Sequence, residues 1–164
     1  MTTHQPGVFE ILFLGIFATA TLDLWALSAK RLLGRPAANW GHVGRWIAGI
    51  PAGTFRHADI ASTPAVSRER TIGWSTHYAI GIVYAAMYLT ILRTLSQSPG
   101  IFSAALFGVL TVLAPWLILQ PGLGAGYFAR RTPRPNQTRL HNLISHAVFG
   151  LGLYFGWALL QVTL

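Results

Sequence analysis

Cysteine is absent from the 164-residue chain, which excludes disulfides, thiolate metal sites, cysteine nucleophiles and covalent c-type haem attachment. Acidic residues are scarce: four Asp and Glu stand against twelve Lys and Arg, for a formal charge of +8. Lysine occurs once, as Lys30. Charged residues of both signs make up 10% of the chain, far below the roughly 25% of soluble domains, and this excludes an ordinary soluble globule. It also excludes a basic nucleic-acid binder, which spreads Lys and Arg over a polar surface. What fills the chain instead is apolar, with 52% hydrophobic residues and a mean hydropathy of +0.47. That is the composition of a membrane protein.

Four apolar segments have the roughly 20 residues that a helix needs to cross a bilayer: 8–29, 72–95, 101–120 and 143–164. The expected fold is therefore all-α, an integral membrane four-helix bundle forming a single transmembrane domain over 1–164. The loops 30–71 and 121–142 hold eleven of the twelve cationic residues, Arg93 being the other. By the positive-inside rule both loops are cytoplasmic and both termini lie on the opposite, periplasmic side. Ala18-Thr19-Ala20 could pass for a signal-peptide cleavage site, but no cationic residue precedes Val8. The apolar run also continues through Leu22, Leu24, Trp25 and Leu27, so the first span is expected to be retained.

Within the first loop, Trp40, Val43, Ile47 and Ile50 recur at three- and four-residue spacing, with His42 and Arg45 elsewhere on the wheel. This predicts a short amphipathic helix in the membrane interface. A turn at Pro51 to Gly53 follows, then Phe55-Arg56-His57-Ala58-Asp59-Ile60, dense in ionisable groups. The plain reading is a solvated loop held to headgroups by Trp and Arg.

The second and fourth spans share a pattern: Arg, five residues, Ser or Thr, His, three residues, Gly, then Ile or Leu. It runs from Arg70 through His77 to Gly81, and from Arg139 through His146 to Gly150, with Tyr84 and Tyr154 beyond. This predicts two tandem two-helix repeats, related by an axis along the membrane normal.

Topology also predicts depth. Asp23 lies seven residues before Lys30, and His77 and His146 lie seven after Arg70 and Arg139. Each is thus roughly 10 Å inside the cytoplasmic boundary at about 1.5 Å per residue, and Gln120 closes the third span at a similar level. An ionisable side chain in hydrocarbon is costly unless it faces the bundle interior or water, so Asp23, His77, Gln120 and His146 form a candidate intramembrane site. The competing reading is that they are polar glue between helices, at about 0.6 kcal/mol per contact. Arg45, Arg56, His57, Arg70 and Arg139 are candidate anion or headgroup contacts. His77 and His146 are also candidate metal or haem b ligands, with Asp23 beside them.

Pro115 is expected to kink the third helix and Pro121 to break it. Gly122, Gly124 and Gly126 would then form a loop whose amides can approach an anion, or simply permit close packing. Neither a dinucleotide fingerprint nor a P-loop is supported. Gly152 and Gly156 form a Gly-x-x-x-Gly packing face, used within the bundle or for a homodimer.

Several stretches together carry a family likeness: Leu22-Asp23-Leu24-Trp25-Ala26, Val43-Gly44-Arg45-Trp46, Gly53-Thr54-Phe55-Arg56-His57, Gly73-Trp74-Ser75-Thr76-His77-Tyr78, and Gln120-Pro121-Gly122-Leu123-Gly124-Ala125-Gly126 followed by Arg131-Thr132-Pro133-Arg134-Pro135. The chain resembles, over nearly its whole length, the bacterial family called domain of unknown function 2938. The resemblance implies a small multi-span protein of the bacterial inner membrane and no assigned activity.

Function is then read from the site. The leading expectation is transport or permeation of a small solute, with proton coupling through the histidines. The alternative is a membrane-embedded binding protein or enzyme for an anionic lipid or phosphate-bearing substrate, with His77 or His146 as base beside Asp23 and the arginines as clamp. The further alternative is haem or metal binding. The outer halves of the second and fourth spans offer mostly Ala, Ile, Leu, Gly and Tyr, which leans towards a site confined to the cytoplasmic half. Expected partners are anionic headgroups and a second copy of the chain, with no nucleic acid.

Overall fold

Apolar runs punctuated by glycine and proline set where the helices begin and end. The computed structural model describes residues 7–35 and 37–163. It holds α1 (Val8–Leu33), the short α2 (Trp40–Gly49), α3 (Glu69–Thr94), α4 (Ile101–Leu123) and α5 (Pro135–Thr163). No strand occurs among the described residues. The apolar stretches of α1, α3, α4 and α5 lie in helices of 26, 26, 23 and 29 residues. At about 1.5 Å per residue each exceeds the roughly 30 Å hydrocarbon core, so all four are long and apolar enough to cross a membrane. Residues 1–6 of the uncharged tail and the last residue of the fourth span, Leu164, fall outside the described residues.

The chain divides into two compact units. The first comprises the described parts of Met1–Pro36, Tyr78–Thr111 and Ile144–Leu164; the second comprises Ala37–His77 and Val112–Leu143.

In the first unit, small residues let backbones approach, as membrane helices require when there is no hydrophobic drive between them. A Cβ on Gly15 would lie 2.5 Å from Ile82 Cα, and one on Gly108 would lie 2.7 Å from Gly150 Cα. Thr19 beside the first contact donates to Gly15 O at 2.7 Å, and Thr111 beside the second donates to Gly108 O at 2.6 Å. Gly152 and Gly156, at the Gly-x-x-x-Gly face, pack on Ala18 and Phe17 of α1. Leu14, Ala18, Tyr88, Phe149 and Leu153 fill the core, while Leu24, Val83, Leu106 and Phe155 point outward. Apolar side chains on both faces suit a hydrocarbon surround.

In the second unit, the Asn39 side chain caps α2 by accepting from Gly41 N at 3.0 Å and His42 N at 3.4 Å. Gly44 and Gly73 bring α2 against the start of α3 so closely that a Cβ on Gly44 would overlap Glu69 O and one on Gly73 would overlap Trp40 O. That contact buries Arg45. Its Nε and Nη2 grip Glu69 at 2.8 and 2.9 Å, and Nη1 donates to the carbonyls of Ile60 and Thr63.

The third long helix differs from its sequence expectation. Pro115 has no N–H, and the helix passes it by widening: Pro115–Leu119 is a π turn, with the Gln120 N–H bonded to Pro115 O. Pro121 does not break the helix. It sits in the first turn of the resumed segment Gln120–Leu123, where a missing N–H costs nothing, and the stop is Gly124 at φ 94°.

Candidate functional site

Four residues were expected in one polar layer, and each is held by partners within its own unit. In the first unit, the Asp23 carboxylate accepts from Tyr78 Oη at 3.0 Å. His146 Nδ1 lies 2.8 Å from Thr111 Oγ1. Since the Thr111 hydroxyl proton goes to Gly108 O, the network assigns the proton of this bond to His146 Nδ1. The adjacent Ser145 hydroxyl accepts from Trp25 Nε1 at 3.1 Å.

In the second unit, His77 stacks on Trp40 with ring centroids 3.9 Å apart, and the Trp74 ring meets it edge-on at 5.8 Å. Gln120 Nε2 donates to the Asn142 side-chain oxygen at 2.7 Å, which also accepts from Trp116 Nε1 at 3.3 Å. The Asn142 nitrogen donates to Thr138 O at 2.8 Å, and this closed pattern fixes its amide orientation. Gln120 Oε1 is buried without a donor. Among the described residues, no group of three His, Asp or Glu side chains is arranged to hold a metal ion.

The five candidate anion contacts divide by what they already touch. Arg45 is committed to Glu69 and two carbonyls, and the Glu69 carboxylate raises its pKa above the ordinary arginine value. Arg139 donates from Nε to Phe128 O at 2.7 Å and from Nη1 to Asn136 Oδ1 at 2.9 Å. Arg70 is exposed on the first turn of α3. Arg56 and His57 line a cavity of about 290 Å³ in the second unit.

That cavity is built where the Phe55–Asp59 stretch meets the glycine-rich turn after α4. His57 N donates to Gly122 O at 2.9 Å, and a Cβ on Gly124 would overlap Ala58 O, so the two segments lie in backbone contact. Gly124 and Gly126 take φ of 94° and 73°, and Phe128 and Ala129 follow at 53° and 56°. Such left-handed residues, uncommon outside glycine, reverse the chain tightly. Arg131 N closes the turn on Ala125 O at 2.9 Å.

This reversal adds Tyr127, Arg130 and Arg131 to Arg56 and His57 in the cavity lining, which has no Asp or Glu. The Arg56 guanidinium sits 5.5 Å from the Tyr127 ring centroid and donates to its hydroxyl. His57 Nδ1 lies 3.2 Å from Thr63 Oγ1, whose own proton goes to Asp59 O, and His57 Nε2 is buried without a partner. Sequence reasoning found Arg56, His57 and the glycine turn but missed Tyr127, Arg130 and Arg131. The available signal was the position of that Arg pair, with three residues between it and the last of three glycines at two-residue spacing.

The profile of a family described as "Protein of unknown function (DUF2938)" matches residues 12–160. No curated protein and no solved structure matches the chain.

Proposed function

The chain belongs to the DUF2938 family of proteins of unknown function, and from that premise we propose that it is a bacterial inner-membrane protein that binds an anionic, phosphate-bearing ligand on its cytoplasmic side. One observation carries this reading: three arginines and a tyrosine from two chain segments line one cavity that no Asp or Glu lines. Arginine forks are suited to phosphate oxygens, which they meet with two parallel charge-assisted bonds. The orientation rests on the eleven cationic residues of the two basic loops, which the positive-inside rule assigns to the cytoplasm. That side carries the anionic lipid headgroups.

The test is native mass spectrometry of the full chain released from membranes or nanodiscs containing anionic lipid. Wild type should retain anionic phospholipid, and the triple variant Arg56→Gln, Arg130→Gln, Arg131→Gln should lose it. Equal retention by both sinks the reading.

A second reading is permeation of a small solute with proton coupling, favoured by the ionisable Asp23 and His146 within helices long enough to cross a membrane. A tandem duplication belongs with it, supported by the like Gly15–Ile82 and Gly108–Gly150 approaches and their threonines. Proteoliposomes would decide: a solute-driven pH change that disappears in Asp23→Asn supports transport, and its absence across candidate anions rejects it.

A further inference from the structure

We propose that the cavity selects a phosphate monoester, the doubly charged form, over a phosphodiester; this rests on the anion-binding reading above. Size comes first. At about 290 Å³ the cavity is at the bottom of the roughly 300–1,000 Å³ range of small-molecule sites, which suits a phosphoryl group on a short stem.

Charge comes next. Arg56, Arg130 and Arg131 bring three positive charges, and none of them has a carboxylate within ion-pair distance among the described residues. A diester offers one negative charge and two unesterified oxygens, leaving two guanidiniums uncompensated. A monoester carries about −1.5 to −2 at pH 7 on three strong acceptor oxygens, one for each guanidinium.

The donors are also prearranged. Tyr127 Oη accepts from Arg56, which leaves its own proton for a ligand oxygen. Gly126 has the Arg130 and Arg131 stems packed directly against it, so a Cβ there would lie 2.9 Å from Arg130 Cγ and 3.1 Å from Arg131 Cγ. With those stems held at the turn, binding costs less side-chain entropy than two free arginines would. The phosphoryl group can belong to a lipid or to a soluble monoester, and the chemistry that recognises it is the same.

The experiment uses the full chain in phosphatidylcholine nanodiscs doped with equal fractions of phosphatidic acid or phosphatidylglycerol, and glycerol phosphate as the soluble probe. Native mass spectrometry is expected to show phosphatidic acid retained over phosphatidylglycerol. Arg130→Gln with Arg131→Gln should weaken that retention by about tenfold or more, while Arg68→Gln with Arg134→Gln should not. Glycerol phosphate affinity should rise as pH climbs through about 6, where the second phosphate proton leaves. Displacement of the lipid by glycerol phosphate assigns a soluble ligand, and lack of displacement assigns the lipid.

Equal retention of the two lipids, with the arginine pair still required, overturns the monoester preference and leaves the anion pocket standing. Indifference to the arginine pair overturns both. Should the double variant lose its helical circular dichroism, Arg131→Gln alone removes one of the three charges. Unchanged selectivity in that folded variant also overturns the proposal.

Discussion

Arg45 and Glu69 form a two-point ion pair, Nε to Oε2 at 2.8 Å and Nη2 to Oε1 at 2.9 Å, with the Arg45 guanidinium buried. The remaining nitrogen holds Ile60 O and Thr63 O, and Glu69 Oε2 also accepts from Val66 N at 3.1 Å. One guanidinium therefore ties the loop to the first turn of α3. Lysine cannot span this set, because a single ammonium lacks the planar fork. Arg45→Lys and Glu69→Gln should each lower the melting temperature and speed proteolysis between residues 50 and 68. Arg70→Gln, an exposed neighbour, should change neither.

The raised pKa of Arg45 sets the pH range of this tie. A group whose folded pKa lies above its unfolded value stabilises fully below the unfolded value and loses that contribution only as pH rises through the folded one. For Arg45 that loss lies in strong alkali, above the ordinary arginine range. Alkaline titration up to pH 10 should thus leave loop proteolysis unchanged.

Where α5 crosses α4, a Cβ on Gly150 would overlap the backbone carbonyl of Ala104, so the position admits no side chain. Gly150→Val should destabilise by about 1–3 kcal/mol, as overpacking does in rigid cores, and thermal unfolding in detergent would show it. Gly156→Ala is the contrast: its Cβ would meet the Phe17 ring at 3.1 Å, and a small tilt of that ring relieves the contact.

Tyr78 supplies a hydrogen bond to Asp23 within the apolar helices. Tyr78→Phe should cost about 0.6 kcal/mol, the mean for such contacts, and no more than about 1.7 kcal/mol. In a double-mutant cycle with Asp23→Ala, which removes the acceptor, thermal unfolding should return a coupling of that size. A larger value would mean that the pair is part of a wider network.

Arg139 holds Phe128 O at 2.7 Å, at a residue whose φ is 53°. Left-handed geometry costs a non-glycine residue roughly 1–2 kcal/mol, so removing the brace should let the turn relax. Arg139→Ala should weaken anion retention by the pocket although Arg139 does not line it. Retention equal to wild type would show that the turn holds its shape unaided.

The four long helices were legible because hydrocarbon demands about 20 apolar residues in a row, and little else in a sequence looks like that. The period of Trp40, Val43, Ile47 and Ile50 likewise foretold a helix at Trp40–Gly49. What it packs against was not legible, since Gly44 and Gly73 act through the side chain each lacks. Arg45 read as a headgroup contact for the same reason: only that close approach buries it against Glu69. Pro121 read as a breaker because its position in a first turn depends on the π segment before it. Arg130 and Arg131 read as topology signals, and their place in the cavity lining depends on a backbone reversal that composition does not reveal.

The turn from Gly124 to Ala129 places four of six residues at positive φ, and that geometry is fixed when the chain folds, before any ligand arrives. Substitutions along it are thus judged twice, once by the backbone and once by the cavity. A saturation mutagenesis map of this chain should show a narrow intolerant band at Gly124 and Gly126, set between helices whose outward-facing apolar residues replace one another freely.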